Sequence, residues 1–275
     1  MSTITAADVN NLRKQTGAGM MDCKKALVEA EGDFEKAIDL LRKKGQKVAA
    51  KRGDRDANEG LVLAKTSDGK HGAMIVLNCE TDFVAKNEEF GNLANTILNI
   101  ALEKKPGSLD ELKSLNYNGG SATIEEKITE EVGKIGEKID LSSYEVVDAG
   151  KVVTYNHPGN KLASMVGFND NTSEDMGREV AMQIAAMNPV SIDKDDVSKD
   201  LIDREIEIGK EQARQEGKPE DLLEKIAMGK LNKFYQENTL LNQQFIKDNK
   251  KTVRQHIESE NKELKVTSFK RIALG

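Results

Sequence analysis

Two stretches of this 275-residue chain share one layout, and that layout constrains the fold more than any other feature. Residues 60–78 read GLVLAKTSDGKHGAMIVLN, two β-rich runs around Ser67-Asp68-Gly69-Lys70. Asp-Gly between apolar runs is a strong hairpin signal. Residues 150–169, GKVVTYNHPGNKLASMVGFN, repeat the order of leading Gly, β run, Gly-containing tip, second β run and closing Asn, with one extra residue at the tip. In the first hairpin both faces of the second run are apolar, so helices must cover it. A cover follows directly: Phe90, Leu93, Ala94, Ile97, Leu98, Ala101 and Leu102 form one broad helical stripe. The second hairpin is followed by the amphipathic SEDMGREVAMQIAAM, 173–187. The expected class is α+β, with two related subdomains in which helices cover β-hairpins. Likeness this short also arises from shared hairpin chemistry alone.

Helices fill most of the rest. Val9 and Leu12, then Cys23, Ala26 and Leu27, then Phe34, Ala37, Ile38 and Leu41 step at helical spacing, interrupted by TGAG at 16–19 and EGD at 31–33. They predict a small three-helix, ubiquitin-associated-like bundle. Seven Lys or Arg against one Asp follow in RKKGQKVAAKRGDR, 42–55, which reads as a solvated helix end plus linker, or else as a short RNA-binding arm. Between 195 and 240 two helical runs fold back at Glu216-Gly217-Lys218-Pro219, with narrow seams of Val197, Leu201 and Ile208 against Leu222, Ile226 and Phe234. That pattern suits a protruding antiparallel coiled-coil hairpin. A short helix near 252–261 and a strand at 264–274 complete the expected order. The domains read as 1–54, the three-helix bundle with its basic linker; 55–142, the first core subdomain; and 143–275, the second, carrying the helical insertion 193–240.

Composition narrows the function. Lys and Arg number 41 against 47 Asp and Glu, a net charge of −6, which supplies no general field for a phosphate backbone; no direct nucleic-acid partner is expected. The two cysteines, Cys23 and Cys79, lie far apart with no metal-ligand spacing, which suits a reducing compartment. The N-terminus has no signal-peptide pattern and the longest strongly apolar run is AMIVL at 73–77, so a cytoplasmic location without a membrane partner is expected. There is no P-loop, and TGAGMMDCKK lacks the strand and third glycine of a dinucleotide fingerprint. His71, His157 and His256 are scattered without a nucleophile motif. Neither a cofactor, a metal nor an enzymatic covalent step is expected.

The puzzling stretch is CETDFVAKNEEF, 79–90. One reading makes Asp82 a helix cap and Phe83 the first residue of the apolar stripe, since 83, 90 and 97 are seven apart. It leaves unexplained why Lys86, Asn87, Glu88 and Glu89 interrupt that stripe, as though the first turn projected beyond the core. Met20 and Met21 offer a soft contact surface or fill the bundle's core, and one is expected to do each. His157, before Pro158-Gly159, stands at a hairpin tip, either as a partner contact or as a tolerated turn residue.

LRKQTGAGMMDCKKAL at 12–27, NCETDFVAKN at 78–87 and the weaker TYNHPGNKLASMVGF at 154–168 carry a resemblance. Over nearly its whole length the sequence is similar to the bacterial translation elongation factor Ts family. The resemblance implies a guanine-nucleotide exchange factor for the GTPase elongation factor Tu, in its GDP-bound and nucleotide-free forms. It implies that Thr81, Asp82, Phe83 and Val84 push into the partner near its Mg2+ site. Phe83 would wedge between partner helices while Asp82 perturbs the groups holding Mg2+ and phosphate. Further contacts map onto Leu12, Met20, Met21 and His157. The second hairpin departs from the family pattern, and the further C-terminal helix that the resemblance associates with some relatives is not expected to contribute contacts here. The competing readings are an RNA- or ribosome-associated adaptor without exchange activity, built on the 42–55 arm and the helical hairpin, and a ubiquitin-like scaffold.

Overall fold

The N-terminal apolar steps fold as α1 (Ala6–Thr16), α2 (Met20–Glu29) and α3 (Phe34–Arg52) in the computed structural model, which describes residues 4–275. Val9, Leu12, Cys23, Ala26, Leu27 and Ala37 share one small core, with Phe34, Ile38 and Leu41 packed at its edge. The basic run is the exposed end of α3 as far as Arg52, and some of its residues are paired: Arg42 with Glu130 at 3.3 Å, Arg52 with Glu80 at 2.9 Å, and Lys44 with Asp22.

The first hairpin is β1 (Glu59–Thr66) and β2 (His71–Cys79). A one-turn helix, α4 (Asp82–Ala85), precedes α5 (Glu88–Lys104), whose expected stripe from Phe90 to Leu102 is buried throughout. Then come α6 (Leu109–Ser114), α7 (Ile124–Ile135) and β3 (Ile139–Asp148), which joins the first sheet in the order β1-β2-β3. Helix α7 opens with a capping box between Thr123 and Glu126 and packs on α3. At their crossing a Cβ built on Gly133 would stand 2.6 Å from the Gly45 Cα, so two glycines set the approach of these helices.

The second hairpin is β4 (Lys151–Asn156) and β5 (Leu162–Phe168), antiparallel with Lys151 opposite Phe168 and Asn156 opposite Ala163. Helix α8 (Glu174–Met187), capped by Ser173, lays Met176, Val180, Ala181 and Ile184 into a core with Val153, Val166 and Phe168. The helical hairpin is α9 (Lys199–Gln215) and α10 (Leu223–Asn238), packed side by side. Gly217, at φ +72°, turns the chain out of α9 with its N–H donated to Arg214. Its neck is narrow: Val190 N–H donates to Asn238 O at 2.8 Å, and Leu240 N–H to Ser191 O at 3.0 Å.

The seam of that hairpin corrects the sequence reading. Gly209 and Ala213 face Leu223, Ala227 and Leu231 as its buried residues, whereas Ile208 and Leu222 are exposed. The reason is size, since a Cβ on Gly209 would lie 3.1 Å from the Ala227 Cα. Small residues let the helices close and leave the larger ones on the flanks. A two-stranded ribbon, β6 (Gln244–Phe245) and β7 (Asp248–Thr252), leads into α11 (Val253–Glu260) and then β8 (Val266–Ala273). β8 pairs antiparallel with β5, giving the order β4-β5-β8.

The chain divides into two units. One gathers the residues up to Leu63, Ile75–Tyr144 and Leu274–Gly275; the other gathers Ala64–Met74 and Glu145–Ala273. Among the described residues no helix is long and apolar enough to cross a membrane.

Candidate functional site

Strand β2 ends at the buried Cys79, and the chain must then turn. Cys79 Sγ donates to Thr81 O at 3.1 Å; burial first, and the charges of Glu137 and Glu59 next, push the thiol up to about 12. It is therefore a neutral donor at ordinary pH. The next two residues are gripped from the segment between α7 and β3. Thr81 N–H donates to Glu137 Oε2 at 3.1 Å, and Thr81 Oγ1–H donates to Glu137 Oε1 at 2.8 Å. Glu80 accepts from Lys138 N–H at 2.7 Å and from Arg52 Nη1 on both carboxylate oxygens, at 3.0 and 2.9 Å. The Lys138 bond, followed by Arg52, holds the Glu80 carboxyl below the usual glutamate range.

Thr81 is also the cap of α4. Its backbone is extended and its Oγ1 accepts from Val84 N–H at 3.4 Å, so Thr81, and not Asp82, closes the N-terminus. Asp82 is the first helical residue, joined to Lys86 at 2.6 Å. Ala85 is the buried side of the turn, and Phe83 points away from it with 81% of its surface exposed. The reading of Phe83 as the start of the α5 stripe is thus overturned. Helix α4 stops after four residues, Asn87 caps a fresh helix, and this break destroys the seven-residue phase that links 83 to 90 and 97. Val84 is half-buried beside it.

The other expected contacts lie on separate elements. Met20 and Met21, at the start of α2, are 53% and 62% exposed, so both face solvent where one was expected to enter the core. Val28 is exposed on the same helix, seven residues beyond Met21; that spacing is its sequence signal, and the sequence reading missed it. Leu12 is corrected: its side chain is fully buried in the three-helix core, where it supports the surface and forms no part of it. His157 is exposed at the β4–β5 tip, with Tyr155 OH 2.9 Å from its Nδ1 and its N–H donated to Leu162 O.

Phe83 is thus an exposed aromatic on a single turn anchored by Glu137. Residues 80–275 match the model of a family described as Elongation factor TS. The elongation factor Ts of Amoebophilus asiaticus is 54% identical over 276 residues, covering 99% of both chains. That of Cytophaga hutchinsonii is also 54% identical, over 279 residues and the full length of both; that of Christiangramia forsetii is 51% identical over 278 residues, again at full length. The chain belongs to the elongation factor Ts family. In this elongation factor Ts family member the region matched by the family model begins at Glu80, so it contains the whole Thr81–Val84 turn and His157. The Met20 and Met21 surface lies in the part spanned by the full-length relatives.

Proposed function

We propose that this chain, as an elongation factor Ts family member and so a nucleotide exchange factor for elongation factor Tu, drives GDP release with the α4 turn. Phe83 enters a gap between helices of the GTPase. Asp82 displaces the groups that hold Mg2+ and the phosphates, and loss of Mg2+ screening weakens the hold on GDP. Such a factor needs no nucleotide motif of its own, only a surface that binds the nucleotide-free partner better than the GDP-bound one. The three-helix bundle acts as a ubiquitin-associated-like docking arm through Met20 and Met21, while His157 touches the partner from the second hairpin. The insertion 193–240 is the coiled-coil hairpin, and the work is done in the cytoplasm without covalent chemistry.

The observation that carries this reading is the exposure of Phe83 on a turn whose backbone is fixed. Phe83→Ala leaves the core untouched, so its loss of stability is expected to stay within the range of surface substitutions, about 0.5 kcal/mol, and not the roughly 3–5 kcal/mol of a core Phe→Ala. Stimulated release of a fluorescent GDP analogue from elongation factor Tu should fall at least about tenfold, from the burial energy lost in the complex. Heavy destabilisation with normal exchange by the folded fraction would return Phe83 to the core.

A further inference from the structure

A helix of four residues has no cooperativity of its own, because nucleation fixes several residues for a single backbone bond. The placement of Asp82 and Phe83 must therefore come from outside α4. The hydroxyl of Thr81 is the joint: it accepts from Val84 N–H, and its proton goes to Glu137 Oε1, while the other oxygen of the same carboxylate takes the Thr81 N–H. Glu137 is thus the group that decides which way the cap of α4 faces. Its neighbour in sequence, Lys138, repeats the grip one residue earlier, with its N–H on Glu80. Lys138 Nζ meanwhile donates to Gly53 O at 2.8 Å and Arg55 O at 3.0 Å, just past α3. Arg52, in the last turn of α3, closes the ring on Glu80. Glu80, Arg52, Glu137 and Lys138 are all half-buried.

We propose that Glu137 is a positioning residue for nucleotide exchange, holding the Thr81 cap so that Phe83 and Asp82 are preset before the partner arrives, with Lys138, Glu80 and Arg52 fixing the same turn to the end of α3. The proposal rests on the function assigned to the α4 turn above. A preset turn loses less freedom on binding, and the gain appears wherever the turn itself acts. Glu137→Gln keeps the volume but offers one acceptor where two donors arrive, leaving one of the Thr81 donors facing an NH2 group.

The test is a double-mutant cycle on full-length protein, with stimulated release of a fluorescent GDP analogue from elongation factor Tu as the readout. Glu137→Gln is expected to lower release about tenfold, the worth of a hydrogen bond to a charged group. In the Phe83→Ala background the same change should cost less than about twofold, since the side chain being positioned is gone. A merely structural role would cost the same in both backgrounds and overturns the proposal, as does normal exchange by Glu137→Gln. If Phe83→Ala itself exchanges normally, the assignment of the turn fails first and takes the positioning role with it. If Phe83→Ala is defective and Glu137→Gln is not, only the positioning role falls. Amide hydrogen exchange gives a second measurement that does not depend on the partner: Thr81 and Val84 should lose protection in Glu137→Gln while the α5 core keeps it. Unchanged protection at both residues overturns the proposal even if activity drops.

Discussion

Asp82 and Phe83 are adjacent but are held differently, and the difference separates their roles. Phe83 leaves 81% of its surface to solvent, whereas Asp82 is engaged with Lys86 across one helical turn. An exposed pair of that spacing contributes only about 0.3–0.5 kcal/mol, so Asp82→Ala should melt almost as the parent does. Its effect belongs to the complex. On the proposed function, stimulated GDP release is expected to fall in millimolar Mg2+ and to be nearly restored once Mg2+ is chelated, because the chelator would then do the step proposed for Asp82. Equal defects in the two conditions would make Asp82 a docking residue and remove the metal from its role.

Among the elements, the pairing of α3 with α7 carries a conflict whose sign can be measured. Helix propensity alone favours Ala over Gly by roughly 0.5–1 kcal/mol in a helix interior. At Gly133 the added Cβ would meet the Gly45 Cα at 2.6 Å, backbone that cannot rotate away. Overpacking of this kind costs about 1–3 kcal/mol, so Gly133→Ala should lower the melting temperature despite its better propensity. A raised melting temperature would mean that the two helices slide apart freely.

The same pair shows how far the sequence can be read. The hairpins, the α5 stripe, the three N-terminal helices and the fold-back at Gly217 all announce themselves within a short window. Helix α7 carries a capping-box pattern at Thr123-Ile-Glu-Glu126 and a narrow stripe, Ile124, Ile128 and Val132, at helical spacing. The packing face of α9–α10 is hard to read because its α9 side is Gly209 and Ala213, small residues that carry little hydrophobic signal, even though Leu223 and Leu231 face them from α10. At the proposed site, the break in periodicity at Lys86 hints at Phe83's exposure, while the role of Thr81–Val84 is implied by the resemblance alone. Nothing local marks Glu137, Lys138 or Arg52, since each acts on a residue distant in sequence.

For the molecule as a whole, carboxylates set the response to acid. Hydrogen bonds from Lys138 to Glu80, from Lys134 to Glu89 and from Ser173 to Glu260 each hold a carboxyl below its ordinary range. A depressed folded-state value stabilises above the unfolded value, near pH 4–5, and the stabilisation is lost as pH falls through the folded value. The first two belong to one unit and the third to the other, so both should weaken together. Thermal midpoints are expected to be flat near neutrality and to fall steadily below about pH 4.5. A midpoint at pH 3.5 equal to that at pH 7 would contradict the assigned bonds.

The strand order β4-β5-β8 has a meaning in time as well as in space. β5 is the centre of its sheet, yet one of its neighbours, β4, is made just before it and the other, β8, only after α8, the helical hairpin, the small ribbon and α11. On the ribosome β5 therefore emerges with one edge paired and the other open, and it waits through the synthesis of all those helices for Ala163 to find Ile272. A protein whose family serves the elongation of every other chain thus depends on the late part of its own elongation to close its second sheet.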